Sequence, residues 1–472
     1  MLRTKVVCTL GPATSTPEAV EALVQAGMDV ARLNLSHGDH EFHRSSIRNV
    51  RAAAREKRRP VAILADLQGP RIRVGTLAEP VELMEEGEVV FAPEDLVAPG
   101  ELPTTYADLA RDVEVGDRLL LDDGLLELEC IEVSDLRSRY RVLRGGTLKS
   151  HKGMNLPSAH IRAPSVTEKD LADLEFLLDE GVEFVGLSFV RTAQDVRAVK
   201  ERIDGRALVV AKVEMARALD TLEEILAATD AVMVARGDLG VELPFEQVPL
   251  AQKRIIQLAN FHGRPVITAT QMLESMIDHP RPTRAEASDV ANAVLDGTDA
   301  VMLSGETAVG RYPTGSVDAI VRIVREIESK GVLAAGPRYL SRDIDPARRG
   351  ATPREHAVAA ATVNSARQLS APALLVITRS GFSARLVSSY RPPVPIFAVC
   401  TDPRTYRQLT AVWGVWPLLS LNEEVSYESL SEFGKGRVRE LGYGEEGDSV
   451  VVTAGFPFHQ SGTTNTMRVE HL

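Results

Sequence analysis

Short apolar runs that finish in polar residues recur along the first two-thirds of the chain. Residues 6–10 (VVCTL), 30–36 (VARLNLS) and 61–67 (VAILADL) come first. After a long gap follow 184–190 (FVGLSFV), 208–214 (LVVAKVE), 231–238 (AVMVARGD), 265–272 (PVITATQM) and 300–307 (AVMLSGET). Continuous runs of this length, rich in Val and Ile, are the pattern of strands buried on both faces. Segments with helical periodicity separate most of them. One is 18–29 (EAVEALVQAGMD); another is 167–181 (TEKDLADLEFLLDEG), with Thr167 as N-cap and Gly181 as C-cap. Eight strand-then-helix repeats predict an α/β fold, a closed parallel (β/α)8 TIM barrel.

The polar ends carry a second regularity: Thr9, Asn34 with Ser36, Asp66, Ser188, Lys212 with Glu214, Arg236 with Asp238, Thr270 with Gln271, and Ser304 with Glu306. In a barrel the C-terminal ends of all strands meet on one face, where active sites sit. A polar strand end can simply mark an exit to solvent. That explains poorly why two carboxylates, a lysine and an arginine gather on the adjacent fifth and sixth strands. Charges collected in a cleft point to function.

The gap after the third strand is too long for a plain loop. Residues 71–163 lack helical periodicity and hold short β-like stretches (EVVFAP, DRLLLDDG, LLELECIEV, RYRVLRGG) with Gly and Asp turns. They predict an inserted small β-barrel domain, rising from the active-site face as a lid. The last third reads as an open α/β domain. Its strands are 373–378 (ALLVIT), 395–400 (PIFAVC) and 449–455 (SVVVTAG), and 356–370 and 381–392 contain or flank helices. The polar, Arg-rich stretch 340–352 reads as a linker or exposed loop. The expected division is a barrel from 1–70 and 164–335, an insert over 71–163, and a C-terminal α/β domain over 336–472.

Composition narrows the function. The length of 472 residues fits about three domains at roughly 150 residues each. A net charge of −12 argues against a dedicated nucleic-acid binder, which needs a basic face. The basic run 51–59 (RAAAREKRR) reads as the solvated face of a helix. Cys8, Cys130 and Cys400 match no zinc, CxxC or disulfide spacing and fit a reducing cytosol. The N-terminal apolar run is too short for a signal peptide, and nothing approaches the ~20 apolar residues of a membrane span. The expectation is a cytoplasmic protein with no membrane partner.

Glu214 and Asp238 are hard oxygen donors with no His or Cys companion. Such a pair suits Mg²⁺, with Mn²⁺ as a substitute, rather than zinc. Lys212 precedes Glu214 by two residues, so both share one strand face. A cation beside a metal site is what a transferring phosphoryl group requires. The bland alternative is a structural Lys212–Glu214 ion pair. The 236–240 turn (RGDLG) offers backbone N–H groups to a carboxylate or phosphate. Arg32 and Arg73, at or beyond the second and third strand ends, suit bidentate phosphate contacts, although either alone reads as a surface salt bridge.

The blocks VVCTLGPAT, GMDVARLNLSHGDH, AKVE, MVARGDLGVELP, TATQMLESM, RPTRAEASDVANAVLDGTDAVMLSGETA and TNTMRV occur in this order. Together they resemble the pyruvate kinase family. The resemblance runs over residues 4–469 and is weaker in the insert and the C-terminal third. It implies phosphoryl transfer from phosphoenolpyruvate to ADP, giving pyruvate and ATP, the last step of glycolysis. By this resemblance Arg32 and Lys212 contact the substrate phosphate, and Lys212 stabilises the phosphoryl group in flight. Glu214 and Asp238 hold the substrate-side Mg²⁺. The N–H groups of Gly237 and Asp238, with the Thr270 hydroxyl, receive the substrate carboxylate. Thr270 and Ser304 are both candidates for protonating the enolate, through water. A second Mg²⁺ arrives with the nucleotide, near Asn34, His37, Arg73 and Lys152. His37 on its own reads as a structural residue. A homotetramer is implied by the same resemblance.

Two regions depart from or extend that pattern. Many members require K⁺, and the matching positions here are Asn34, Ser36, Asp66, Leu67 and Arg71. In K⁺-dependent members Thr stands at the Leu67 position and Glu at the Arg71 position. Here Leu67 has no side-chain oxygen, and Arg71 brings a fixed positive charge. With Gln68, this pattern resembles K⁺-independent relatives, so the expectation is that K⁺ is not required. In the C-terminal domain, Thr378, Arg379, Ser380, Gly381, Phe382 and Ser383 lie between a strand and a helix, where hydroxyls and N–H groups suit a phosphate. By resemblance this loop takes the phosphate of an allosteric effector, a sugar phosphate or a nucleotide; an ordinary capped turn is the alternative. The later loop 456–464 (FPFHQSGTT) lacks the Arg of some fructose-bisphosphate-regulated members. Two other readings compete. A carbon–carbon lyase on a Mg²⁺ barrel leaves the insert, Lys212 and TATQMLESM unexplained. A silent binding protein leaves the full set of Lys212, Glu214, Asp238 and Thr270 unexplained.

Overall fold

The computed structural model describes residues 2–157, 161–162, 164–330, 353–421, 425–457 and 462–472. Eight parallel strands close into a barrel: β1 (Lys5–Thr9), β2 (Val30–Asn34), β3 (Ala62–Asp66), β4 (Phe184–Leu187), β5 (Leu208–Val213), β6 (Ala231–Ala235), β7 (Val266–Ala269) and β8 (Ala300–Leu303). Each follows its predecessor around the ring, and β8 closes on β1 through Lys5 opposite Ala300.

β1, β2, β3 and β5 include Thr9, Asn34, Asp66 and Lys212, whereas β4, β6, β7 and β8 stop before Ser188, Arg236, Thr270 and Ser304. Arg236–Glu242, for instance, is a short helix, and Thr270 and Gln271 leave the ladder with φ of 66° and 53°. Inside the ring sits an apolar cluster that includes Val7, Val30, Leu64, Val210, Met233, Ile267 and Met302. A second, larger cluster fills the space between strands and outer helices. The two-residue period of a strand then fixes what stands above the interior cluster. Arg32 follows Val30, Asp66 follows Leu64, Lys212 follows Val210, and Ser304 follows Met302 by two.

The helix Glu168–Asp179 starts in a capping box between Thr167 and Asp170. It ends one residue earlier than expected, with Glu180 as C-cap and Gly181 next at φ 68°. Asp170 also accepts the Gly69 N–H at 3.0 Å, so one buried carboxylate ties together both chain crossings of the insert. The basic run 51–59 corrects an expectation. Residues 51–56 lie on the helix His40–Glu56, but Arg51 reaches inward to both oxygens of the buried Glu183 at 2.8 Å, and Arg59 binds Asp29 at 2.7 Å. These two arginines are half-buried ties: Arg51 also donates to the carbonyls of Val61 and Gly181, which precede strands, and Arg59 to those of Val24 and Gly27 at a helix end.

The insert is all-β with its own core around Phe91, Leu119, Leu128, Tyr140 and Val142. The expected small barrel takes the form of a six-stranded sheet plus a two-stranded ribbon, because the strand Gly146–Leu148 pairs with Val81–Leu83 instead of joining the sheet. Among the described residues the C-terminal sheet has five strands: β9 (Leu374–Ile377), β10 (Ile396–Cys400), β11 (Val415–Leu419), β12 (Ser449–Ala454) and β13 (Thr466–His471). Its order is β11-β10-β9-β12-β13, with β13 antiparallel at one edge. Alternate residues face two separate clusters, Leu374 and Val376 on one side, Leu375 and Ile377 on the other.

The expected linker 340–352, the boundary at 335/336 and residue 163 lie outside the described residues. Among the described residues no helix is long and apolar enough to cross a membrane.

Candidate active site

The C-terminal ends of β2, β3 and β5 bring three charges together. Arg32 lies against Asp66, with both Nε and Nη2 at 2.8 Å from Oδ2. Its Nη1 donates to Thr9 Oγ1 at 3.1 Å. The Lys212 ammonium stands 2.6 Å from Glu214 Oε1 and 3.5 Å from Asp66 Oδ2, and donates to Ser188 Oγ at 2.7 Å. Glu214 Oε2 accepts the Phe189 N–H at 2.7 Å, from a residue held at φ 54°.

All four groups are buried, so their charges act at low dielectric. Burial works against the Asp66 charge, but Arg32 and Lys212 outweigh it and hold the carboxyl below its ordinary range. Burial also works against the Lys212 ammonium, and Glu214 and Asp66 outweigh it, raising its pKa. For Glu214, burial with the neighbouring Asp238 charge wins over Lys212, and its pKa is raised.

Asp66 Oδ1 is buried without a partner among the described residues. It faces β4, where a Cβ on Gly186 would stand 2.1 Å away. That is the side of Asp66 opposite Asn34, its register partner on β2. A glycine is required at 186 for this approach.

Next to β5, the helix Arg236–Glu242 carries Asp238. The Gly237 N–H donates to Thr270 Oγ1 at 2.7 Å, so the expected carboxylate donors and the Thr270 hydroxyl are in mutual contact. Thr270 holds φ 66°, a costly conformation for a β-branched residue. Arg236 braces it, donating to the Thr270 carbonyl at 2.6 Å and to Asp289 at 2.7 Å. At the end of β8 the Ser304 hydroxyl is buried without a partner among the described residues, and the Ser304 N–H binds Glu306 Oε2 at 2.7 Å.

A cavity of about 350 Å³ opens between barrel and insert. Glu214, Asp238, Arg71, Arg73 and Lys152 share its wall, together with Glu242 and Asn155. Lys152 is paired with Asp122 at 2.7 Å. Asn34, Ser36 and His37 lie outside that wall, at the end of β2, where Asn34 Oδ1 accepts the Ser36 N–H at 3.2 Å and His37 is exposed. Leu67 is buried in the shell behind the strands. The sequence reading missed Ser188, Phe189, Asn155 and Glu242. Ser188 stood among the polar strand ends, a signal that was available; Asn155 carries no local mark.

A separate cavity of about 430 Å³ lies in the C-terminal domain, lined by Thr378, Arg379, Ser380, Phe382 and Ser383. Gly381, at φ 77°, caps the helix Phe382–Ser389 behind it. Ser383 Oγ accepts from Thr464 at 2.7 Å. Residues 458–461 of the later loop lie outside the described residues.

The family model "Pyruvate kinase, barrel domain" matches residues 1–317, and "Pyruvate kinase, alpha/beta domain" matches residues 356–470. The chain belongs to the pyruvate kinase family. It is 44% identical over 480 residues to the pyruvate kinase of Mycobacterium intracellulare, covering 100% of this chain and 98% of that one. It is 43% identical to the enzyme of Geobacillus stearothermophilus, covering 99% of this chain and 80% of that one. A solved pyruvate kinase from Cryptosporidium parvum superposes with a TM-score of 0.90 at 33% identity, over 100% of this chain and 96% of that one. Membership makes the chain a phosphotransferase, acting between phosphoenolpyruvate and ADP with pyruvate and ATP as products.

Proposed function

We propose that Lys212, Arg32, Glu214, Asp238, Thr270 and Ser304 carry this reaction. The observation that supports it most is the convergence of Lys212, Glu214 and Asp66 within 3.5 Å at the mouth of the barrel, beside a cavity shared by Glu214 and Asp238. The two carboxylates fit Mg²⁺, or Mn²⁺ in its place, as hard oxygen donors on one cavity wall. Bound there, the ion supplies charge that stabilises the transferring phosphoryl oxygens. Lys212 and Arg32 add fixed positive charge, already oriented by Asp66, so little reorganisation accompanies the transfer. Thr270 and the N–H groups of Gly237 and Asp238 orient the substrate carboxylate. Ser304, whose hydroxyl has no partner among the described residues, is available for the proton relay to the enolate, as is Thr270. Arg73 and Lys152, with Asn34 and His37 across the mouth, serve the nucleotide. The division is the one the sequence suggests: barrel 1–70 and 164–335, insert 71–163 acting as a lid, and C-terminal domain 336–472.

K⁺ is not required in this reading. Leu67 is buried away from the mouth, the free oxygen of Asp66 faces Gly186 rather than Asn34, and Arg71 supplies a positive charge at the cavity wall. The C-terminal cavity takes a phosphorylated effector, a sugar phosphate or a nucleotide, at residues 378–383. A homotetramer agrees with the exposure of Phe245 (85%) and Leu250 (68%) around the start of the helix Val248–Phe261. Three free, buried cysteines agree with a cytoplasmic setting.

The test is ADP-dependent pyruvate release with Mg²⁺ in tetramethylammonium salts, with and without K⁺. Full turnover without K⁺ is expected. Strong activation by K⁺ overturns the Arg71 reading, and turnover indifferent to Mg²⁺ overturns the metal reading.

A further inference from the structure

Glu242 closes the short helix that carries Asp238, and it is only 8% exposed. One of its oxygens, Oε1, accepts from Asn155 Nδ2 at 3.3 Å. Asn155 belongs to the insert, on the strand Met154–Asn155 that pairs with Leu120 and Leu121. The other oxygen, Oε2, is buried without a hydrogen-bond partner of good geometry among the described residues. The N–H of Ala216, two residues after Glu214, lies near enough to favour the charged carboxylate. One side chain therefore touches the insert and the segment following Glu214, while its own helix holds Asp238.

This is a poor arrangement for stability. A buried carboxylate with one long, neutral hydrogen bond forfeits solvation that the contact does not return. Its placement makes sense through what it joins. We propose that Glu242 is a positioning residue: it holds the insert, through Asn155, in register with the two segments that carry Glu214 and Asp238. Placement of the insert over the cavity and the geometry of the carboxylate pair are then set together. The proposal rests on the reading that Glu214 and Asp238 hold the divalent cation. Outer groups that orient ligands in this way commonly govern affinity more than fold.

The experiment uses the full-length enzyme with Glu242→Ala, Glu242→Gln, Asn155→Ala, the Glu242→Ala/Asn155→Ala pair, and Glu214→Gln as a control. Three quantities are read: Mn²⁺ binding by electron paramagnetic resonance, KM and kcat from pyruvate release, and hydrogen exchange of residues 154–157 with and without phosphoenolpyruvate and Mg²⁺. Glu242→Ala is expected to raise the half-saturating Mg²⁺ and the phosphoenolpyruvate KM by ~10-fold or more, with kcat less affected. Asn155→Ala is expected to act in the same direction. The double variant should fall well short of the combined single effects. Glu242→Gln keeps an acceptor for Asn155 and should recover part of the loss. Substrate-induced protection of 154–157 should disappear in both alanine variants. Parental KM values and intact protection in Glu242→Ala overturn the proposal, as does a lowered melting temperature with KM unchanged. If Glu214→Gln binds Mn²⁺ normally, the metal reading itself fails; if it loses Mn²⁺ while Glu242→Ala behaves as the parent, the coupling alone fails.

Discussion

The Lys212 ammonium lies 2.6 Å from Glu214 Oε1, two residues further along the same strand direction, and both side chains are buried. The contact reads as a structural ion pair in isolation, yet Glu214 also lines the cavity that Asp238 shares. On the proposed assignment Glu214 and Asp238 would hold Mg²⁺, and Glu214 so engaged would leave Lys212 free to face the phosphoryl group. Glu214→Gln should therefore weaken Mg²⁺ by at least ~10-fold, since even outer-shell changes reach that size. Titration of activity against Mg²⁺ measures it, and an unchanged half-saturation counts against the assignment.

The carboxyl of Glu242 gives a pH-dependent prediction. Burial, chiefly, raises its pKa from 4.5 to about 6. The folded state thus holds this proton more tightly than the unfolded chain. The stability it contributes is fully present below pH 4.5 and is lost as pH rises through about 6. Above that range the buried charge costs about 2 kcal/mol, at about 1.4 kcal/mol per pKa unit. Glu242→Gln should melt higher than the parent at pH 8 in metal-free buffer, and the gap should shrink towards pH 5. A constant gap across that range contradicts the assignment.

The barrel is fastened to the C-terminal domain by a buried ion pair. Arg391 binds both oxygens of Asp299 at 3.0 and 3.1 Å, and also Asn260 at 2.7 Å, while the Trp413 N–H donates to Asp299 Oδ1 at 3.1 Å. Removing one partner of such a pair strands the other charge, at a cost of about 3–5 kcal/mol. Arg391→Ala should lower the melting temperature more than an exposed Arg→Ala change such as Arg367→Ala. Equal shifts in the two variants contradict the assigned role.

Much of this molecule was legible in its sequence. The eight apolar runs are visible because parallel strands are buried on both faces. Their polar tips gave the ring of functional groups because the strands share one direction. Strands β11 and β13 escaped, since Val415–Leu419 contains Pro417 and is only partly buried, and Thr466–His471 is a half-exposed edge. Arg51 and Arg59 looked like a solvated charge run, and only the fold shows the carboxylates they meet. The Glu242–Asn155 contact spans 87 residues and two substructures, so no local pattern announces it. Gly186 is likewise mute in sequence, and its role appears only when Asp66 is seen leaning against β4.

On the proposed assignment Lys212 is the charge beside the phosphoryl group. The most direct measurement is Mg²⁺- and ADP-dependent pyruvate release by the parent and by Lys212→Met, with circular dichroism and Mn²⁺ binding recorded alongside. The expected result is a loss of turnover of at least ~10²–10³-fold, the usual worth of a preorganised charge, in a variant that still folds and still binds Mn²⁺. Turnover within a few-fold of the parent in that variant would contradict the account.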